Sequence, residues 1–232
     1  MKRQILFGMK DGIPIALGYL SVAFGFGIFA ASLGITPIES WLISATNLTS
    51  AGQVAGVGII AAAGSYLEMA LTQLVINIRY SLMGLSLSQK LDDSFRTPQR
   101  LIVSYGITDE IFAMACSKAG KLTPGYIYGL IITPFIGWTT GTILDAMAGG
   151  GLPAQLTDAL GIMLYAMFLA VIIPAARQEK SILTVIAIAA VISILFYYVF
   201  TTISGGFAII LSAVAAAAIG ALIRPIDDEA EG

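Results

Sequence analysis

The segment that most limits how this chain can fold is an uncharged run from Ser40 to Leu67 with a polar centre. Its length and hydropathy are typical of a membrane segment, yet the stretch from Ser44 to Gly56 consists largely of hydroxyls, amides and glycines. A lipid core offers no hydrogen-bond partner to such groups, so they must face protein or water. We therefore expect a broken or re-entrant helix that lines a solute site.

Composition places the rest of the chain in a membrane as well. Of the 232 residues, 57% are hydrophobic and 11% are charged, which is too little polar surface for a soluble domain. The predicted fold is an all-α, polytopic helical membrane protein with a single transmembrane domain over residues 1–232. We divide it into a first half (12–118), a second half (122–224) and an acidic cytoplasmic tail (225–232). The first span is expected at about 12–33, opened by Asp11 and Pro14. The last uncharged run, 181–223, is long enough for two spans and is expected to divide at Ser204-Gly205-Gly206.

Several function classes are disfavoured by what the sequence lacks. It has no histidine and one cysteine, Cys116, which removes imidazole bases and Cys/His metal sites, so we expect no metal and no cofactor. It has no HExxH motif and no Ser/His pair, so we expect no enzyme. The net charge is -2 without a basic patch, and we expect no nucleic-acid partner.

The distribution of positive charge predicts the topology. All 12 lysines and arginines except Arg79 lie at the N-terminus or in a few connections. If every apolar run crossed once, the basic cluster at 90–100 would lie outside, against the positive-inside rule. We prefer about six full crossings with two broken or re-entrant elements, Ser40–Leu67 and Thr97–Ser117, and both termini in the cytoplasm. The alternative, in which both elements cross, stays open.

A faint internal repeat relates two parts of the chain. Gly25, Gly34 and Pro37 are each followed, at the same distance along the sequence, by an identical residue: Gly141, Gly150 and Pro153. The repeat would make the segments that hold Gly25 and Gly141 parallel equivalents, as in transporters built from two similar halves around a midplane site.

Arg79 is the strongest single sign of function, because an arginine deep in a membrane span is costly unless it meets a partner or water. Either it pairs with an acid (Glu68, Asp109 or Glu110) and locks helices together, or it contacts a substrate carboxylate or forms a gating pair. Asn77 lies on the opposite polar face, about 200° away on a regular helix. One site holds both Asn77 and Arg79 only if the helix breaks there.

Neutral polar residues in the opening stretch suit a zwitterionic substrate. Thr49, Ser50 and Gln53 supply donors and acceptors, and freed backbone groups add oriented dipoles without net charge. Helix packing through hydroxyls is the simpler interpretation of each residue alone. Asp109 and Glu110 are adjacent carboxylates in an apolar stretch, and we predict that they couple transport to an ion gradient, which requires that they be buried.

The chain resembles the AzlC family, the large subunits of branched-chain amino-acid exporters. The resemblance rests on several short motifs between about Gly12 and Ile223: Gly12-Ile13-Pro14 with Gly18-Tyr19, Phe24-Gly25, Ser50-Ala51-Gly52-Gln53, Asn77-Ile78-Arg79 and Thr108-Asp109-Glu110.

This resemblance implies ion-gradient-driven export of leucine, isoleucine and valine across a bacterial or archaeal cytoplasmic membrane. It also implies a small AzlD-type membrane subunit as partner, besides the amino-acid substrate and membrane lipid. Two alternatives remain: a passive channel for small neutral solutes, and an accessory membrane subunit of another transporter.

Overall fold

The structure, a computed structural model, describes residues 1–148 and 154–223, and within those ranges it contains helices and no strand. In chain order the helices are α1 (Lys2–Ser32), α2 (Pro37–Thr46), α3 (Ser50–Ala61), α4 (Tyr66–Lys90), α5 (Thr97–Tyr105), α6 (Asp109–Ser117), α7 (Pro124–Ala148), α8 (Ala154–Gln178), α9 (Lys180–Tyr198) and α10 (Gly205–Ile223). The predicted all-α polytopic fold is confirmed.

The chain forms two compact units. Unit 1 consists of Met1–Val57 and Ile76–Leu164, and unit 2 consists of Gly58–Val75 and the chain from Tyr165 onward. The single transmembrane domain with halves 12–118 and 122–224 stays a prediction. The acidic tail, 225–232, lies outside the described residues.

Six of the described helices are long enough to cross a bilayer. Four of them, α1, α7, α9 and α10, also meet the hydropathy expected of a membrane span. α4 and α8 have 25 residues each, above the ~20 that a span requires. The last uncharged run divides into α9 and α10 near Ser204, as predicted.

The first helix is longer than predicted at its N-terminal end. We expected a span from Gly12, opened by Asp11 and Pro14, but α1 begins at Lys2 and Pro14 lies inside it. The additional turns are stabilised by packing on α7, where a Cβ at Gly8 would overlap the carbonyl oxygen of Tyr126. Tertiary contact therefore overrides the local helix-breaking tendency of proline.

α1 and α7 pack in parallel along most of their lengths. The close contacts advance together along both helices, with Gly129 at Ile5, Gly137 at Ala16 and Gly141 at Leu20. Small residues allow such close backbone approach between membrane helices. The orientation is the one that the repeat predicts, although Gly150 and Pro153 lie outside the described residues.

The polar centre of the opening segment interrupts a helix, as predicted. α2 ends at Thr46 and α3 begins at Ser50. In the gap, the Asn47 side-chain oxygen accepts hydrogen bonds from the Thr49 amide (3.1 Å) and hydroxyl (2.7 Å). This local bond gives the backbone an alternative to helical pairing.

A capping box at Thr36 and Glu39 begins α2 after the turn that follows α1. The Thr36 hydroxyl and amide donate to the Glu39 carboxylate at 2.6 and 2.8 Å, and the Thr36 hydroxyl oxygen accepts from the Glu39 amide at 3.3 Å. The side-chain bond from Thr36, with the backbone bond beside it, holds the pKa of Glu39 below its usual value. Whether α3 crosses the membrane or returns to the side from which α2 entered stays a prediction.

The second interrupted element, α5 and α6, enters and leaves at one end of unit 1. Just before α5, Asp92 donates its amide to the carbonyl of Leu122, and Leu122 donates to the carbonyl of Lys90. The Lys90 ammonium bonds the carbonyls of Cys116 (2.5 Å) and Lys118 (2.7 Å) beyond α6. Each helix has nine residues, about 13 Å, or roughly half of the membrane core. Both ends of the element therefore lie together, and its return to one side of the membrane stays a prediction.

Cysteine labelling from outside the cell tests this topology. In a chain with Cys116 replaced, we expect single cysteines at Ile38 and Tyr66 to react with an impermeant maleimide, and those at Asp93 and Ala119 not to react. All four positions are exposed, so accessibility reports the side of the membrane. Labelling at Asp93 would overturn the proposed orientation of α5 and α6.

Candidate functional site

The two helix interruptions of unit 1 meet halfway along α1. Tyr105 at the end of α5 donates its hydroxyl to the carbonyl of Ala45 near the end of α2. Tyr19, in the middle of α1, lies 2.6 Å from Thr108 in the gap before α6. Discontinuous helices that meet at mid-depth are the usual framework of transporter substrate sites, because their free ends offer unpaired backbone groups and dipoles.

Arg79 and Asp109 form an ion pair in this region. One guanidinium nitrogen lies 2.7 Å from both carboxylate oxygens. The other nitrogen lies 3.3 Å from the hydroxyl of Tyr80, and the guanidinium stacks over that ring at 4.9 Å. The Arg79 and Asp109 side chains are 42% and 34% exposed, so the pair is only partly buried. Of the three acids considered for Arg79, the partner is Asp109.

Glu110 lies beside Asp109 in the first turn of α6 and contacts Tyr19. The phenol oxygen is 2.5 Å from the Glu110 carboxylate and 2.6 Å from the Thr108 hydroxyl. The positive end of the α6 dipole favours both carboxylates. Asp109 and Glu110 thus have different partners, a cation and a phenol, within one helix turn.

Gln53 belongs to a second polar cluster on the other side of Tyr19. Its amide nitrogen donates to the Ser44 hydroxyl at 2.9 Å, and Ser44 lies 2.7 Å from the Thr142 hydroxyl on α7. Gln53 and Ser44 are fully buried. This cluster joins α2, α3 and α7 at the level of the interruption.

Trp138 connects the two clusters. Its ring packs edge-on against Tyr19 with the centroids 5.1 Å apart, and its carbonyl accepts from the Thr142 hydroxyl at 3.2 Å. A continuous series of contacts therefore leads from Arg79 and Asp109, through Glu110, Tyr19 and Trp138, to Thr142, Ser44 and Gln53.

The other predicted site residues stand apart from this series. Thr49 and Ser50 lie at the start of α3, where Thr49 binds the Asn47 side chain. Asn77 is half-buried on α4, but α4 is continuous from Tyr66 to Lys90. The break that would let one site hold both Asn77 and Arg79 is therefore absent from α4, and a joint role for them stays a prediction.

Glu68, which we considered as a partner of Arg79, has neutral partners in unit 2. Its carboxylate accepts from the Ser204 hydroxyl at 2.5 Å and from the Gly206 amide at 3.0 Å. This places a buried acid at the N-terminus of α10, where the helix dipole favours a negative charge.

The sequence left four participants of the clusters unassigned: Tyr19, Ser44, Trp138 and Thr142. Tyr19 and Ser44 belong to stretches that were singled out, but without a role. Trp138 and Thr142 lie in the apolar run that became α7. A tryptophan in the middle of a span, rather than at a membrane interface, is the signal that would have found them.

Known proteins resemble this chain over most of its length. The family described as AzlC protein matches residues 14–152. Inner membrane protein YgaZ of Escherichia coli K12 is 31% identical over 183 residues, covering 75% of this chain and 74% of the relative. An uncharacterized membrane protein of Archaeoglobus fulgidus is 30% identical over 169 residues, covering 72% and 74%.

A further relative carries a transport name. The branched-chain amino acid transport protein AzlC of Bacillus subtilis 168 is 22% identical over 171 residues, covering 72% of this chain and 66% of the relative. No solved structure is significantly similar to the chain.

Proposed function

Because the chain belongs to the AzlC family, we propose that it is the large subunit of an exporter of branched-chain amino acids. The transport name of the Bacillus subtilis relative supports this substrate class. The proposed direction is outward across the cytoplasmic membrane, with both termini in the cytoplasm.

The meeting of two interrupted helices beside the Arg79–Asp109 ion pair is the observation that carries the proposal. The residues at this meeting point present amide and hydroxyl groups and one balanced ion pair, which suits a zwitterion with an apolar side chain. We assign substrate contact to Thr49, Ser50 and Gln53 at the first interruption and to Arg79 at the second.

Asp109 and Glu110 are the proposed coupling residues, and each is half-buried, so the burial predicted for them from the sequence is met only in part. Protonation of Asp109 would remove its charge and release Arg79, which could then meet the substrate carboxylate. The bond between Glu110 and Tyr19 joins the same helix turn to the middle of α1. An ion gradient would therefore act on the contact between α4, α6 and α1.

A small AzlD-type subunit is the proposed partner. No residue of α9 is buried within this chain, and large side chains such as Tyr197 and Tyr198 are exposed there. A face of this kind accommodates lipid or a second membrane subunit.

Efflux from proteoliposomes tests the proposal. Vesicles that contain the protein and its small partner are loaded with labelled leucine, and release is measured with and without a pH gradient. We expect saturable release that is stimulated by the gradient at least tenfold over protein-free vesicles.

The same assay separates the alternatives. Release that neither saturates nor responds to the gradient would indicate a passive channel. Absence of stimulated leucine release under every condition would overturn the exporter assignment.

A further inference from the structure

Two buried polar atoms of unit 1 have no hydrogen-bond partner among residues 1–148 and 154–223, and their chemistry is complementary. One is the side-chain oxygen of Gln53, an acceptor, and the other is the indole nitrogen of Trp138, a donor. Both side chains are only 1% exposed. Buried polar groups in folded proteins are almost always paired, so two such exceptions in one series of contacts require an explanation.

The orientation of the Gln53 amide follows from its neighbours. Thr142 donates its hydroxyl hydrogen to the Trp138 carbonyl, so Ser44 must donate to Thr142. The Ser44 oxygen is then an acceptor, and it receives the Gln53 amide nitrogen at 2.9 Å. The carbonyl end of the Gln53 amide therefore points away from Ser44 and remains available.

Gln53 and Trp138 are connected through Thr142 on α7. Thr142, which Ser44 links to Gln53, lies one helical turn from Trp138 on the same face of α7, so their Cβ atoms are about 5–6 Å apart. A helical side chain leans toward the N-terminus of its helix, which directs the indole of Trp138 toward Tyr19. The acceptor on α3 and the donor on α7 are thus connected through Ser44 and Thr142, which lies one turn from Trp138.

We infer that, while Arg79 is held by Asp109, Gln53 and Trp138 bind the two ends of a zwitterionic α-amino acid, the Gln53 carbonyl accepting from the ammonium and the Trp138 indole donating to the carboxylate. This inference rests on the proposed transport of amino acids. It adds Trp138 as a specificity residue and Ser44 and Thr142 as positioning residues.

Neutral groups at both positions define the substrate class. An amide oxygen and an indole N–H each complement one charge of the zwitterion and add none of their own. Analogues that lack the ammonium or the carboxylate leave one protein group unpaired, and a site built to bond a polar group discriminates strongly against such analogues. The site therefore selects amino acids over the corresponding acids and amines.

The test measures equilibrium binding to the purified full-length protein by displacement of labelled leucine. The competitors are leucine, 3-methylbutylamine, which lacks the carboxylate carbon and both of its oxygens, and 4-methylpentanoate, which lacks the ammonium. We expect Trp138→Phe to weaken leucine about 10- to 100-fold and to leave 3-methylbutylamine within twofold. Gln53→Leu should weaken leucine to a similar extent and leave 4-methylpentanoate within twofold.

The chain offers a matched control, because it has two tryptophans. Trp41 on α2 is 37% exposed, and Trp41→Phe should leave all three affinities unchanged. Ser44→Ala, which frees the Gln53 amide to rotate, should weaken leucine less than Gln53→Leu does. It also supplies a second variant if Gln53→Leu does not fold.

The outcomes distinguish this inference from the proposed function. If the unaltered protein binds leucine and Trp138→Phe or Gln53→Leu binds it equally well, the pairing is wrong and the exporter assignment stands. If the unaltered protein binds none of the three compounds, both are overturned.

Discussion

Replacing Arg79 by alanine is expected to reduce leucine flux about 100-fold while leaving the amount of protein in the membrane nearly unchanged. The two parts of this result have separate reasons. Hydrogen bonds to a charged group are worth about 1.5–3 kcal/mol, which corresponds to roughly 10- to 150-fold. The ion pair with Asp109 is partly exposed, and such pairs contribute little to stability. Flux is measured in proteoliposomes at matched protein content.

A double variant separates a structural lock from a transport role. If Arg79 only neutralises Asp109, the combination of Arg79→Ala with Asp109→Asn removes both charges and should restore downhill leucine release without a pH gradient, which needs no coupling by Asp109. We expect flux to remain low, because Arg79 is needed for substrate or gating. Arg100→Ala, at an exposed position of α5, is the control for loss of a positive charge. Flux of Arg79→Ala within twofold of normal would contradict the prediction.

A single methyl group at Gly8 is expected to destabilise the protein strongly. A Cβ there would overlap the Tyr126 carbonyl oxygen and would lie 2.8 Å from the Leu130 nitrogen, and backbone atoms cannot move aside as a side chain can. Overpacking typically costs 1–3 kcal/mol. We expect Gly8→Ala to lower the melting temperature in detergent by about 5 °C or more, or to prevent recovery of monodisperse protein.

Gly18→Ala is the matched control in the same helix. A Cβ at Gly18 would meet no atom within 4 Å, so the helix gains alanine without a clash. Its melting temperature should equal or slightly exceed that of the unaltered protein, because alanine favours helix more than glycine does. Equal melting temperatures for the two variants would show that the α1–α7 contact is looser than described.

Local patterns in the sequence were sufficient for much of the fold. Hydropathy located the long helices, and hydroxyls and amides between Ser44 and Gly56 marked the first interruption. Positive charge near Lys90 and Lys118 indicated that α5 and α6 return to the side from which they start. Each of these properties is carried by residues close together in the chain.

Long-range pairing could not be predicted in the same way. A glycine shows that a backbone can approach, but not which one, so the α1–α7 contact and the extension of α1 to Lys2 were missed. The candidate site had the same limit. Arg79 was recognised by its charge, whereas Trp138 was found only through its contacts with Tyr19 and Thr142.

The parallel contact between α1 and α7 also has a consequence for how the protein is made. α7 begins roughly 90 residues after α1 ends. At a synthesis rate of about 5–20 residues per second, α1 waits about 5 to 20 s before its partner leaves the ribosome. During that interval α1 has no α7 against which to pack its glycine-lined face. Asp11 likewise lacks the Tyr126 hydroxyl of α7, which donates to its carboxylate at 2.9 Å in the folded protein. We therefore expect lipid or an insertase to cover this face of α1 until α7 has been synthesised.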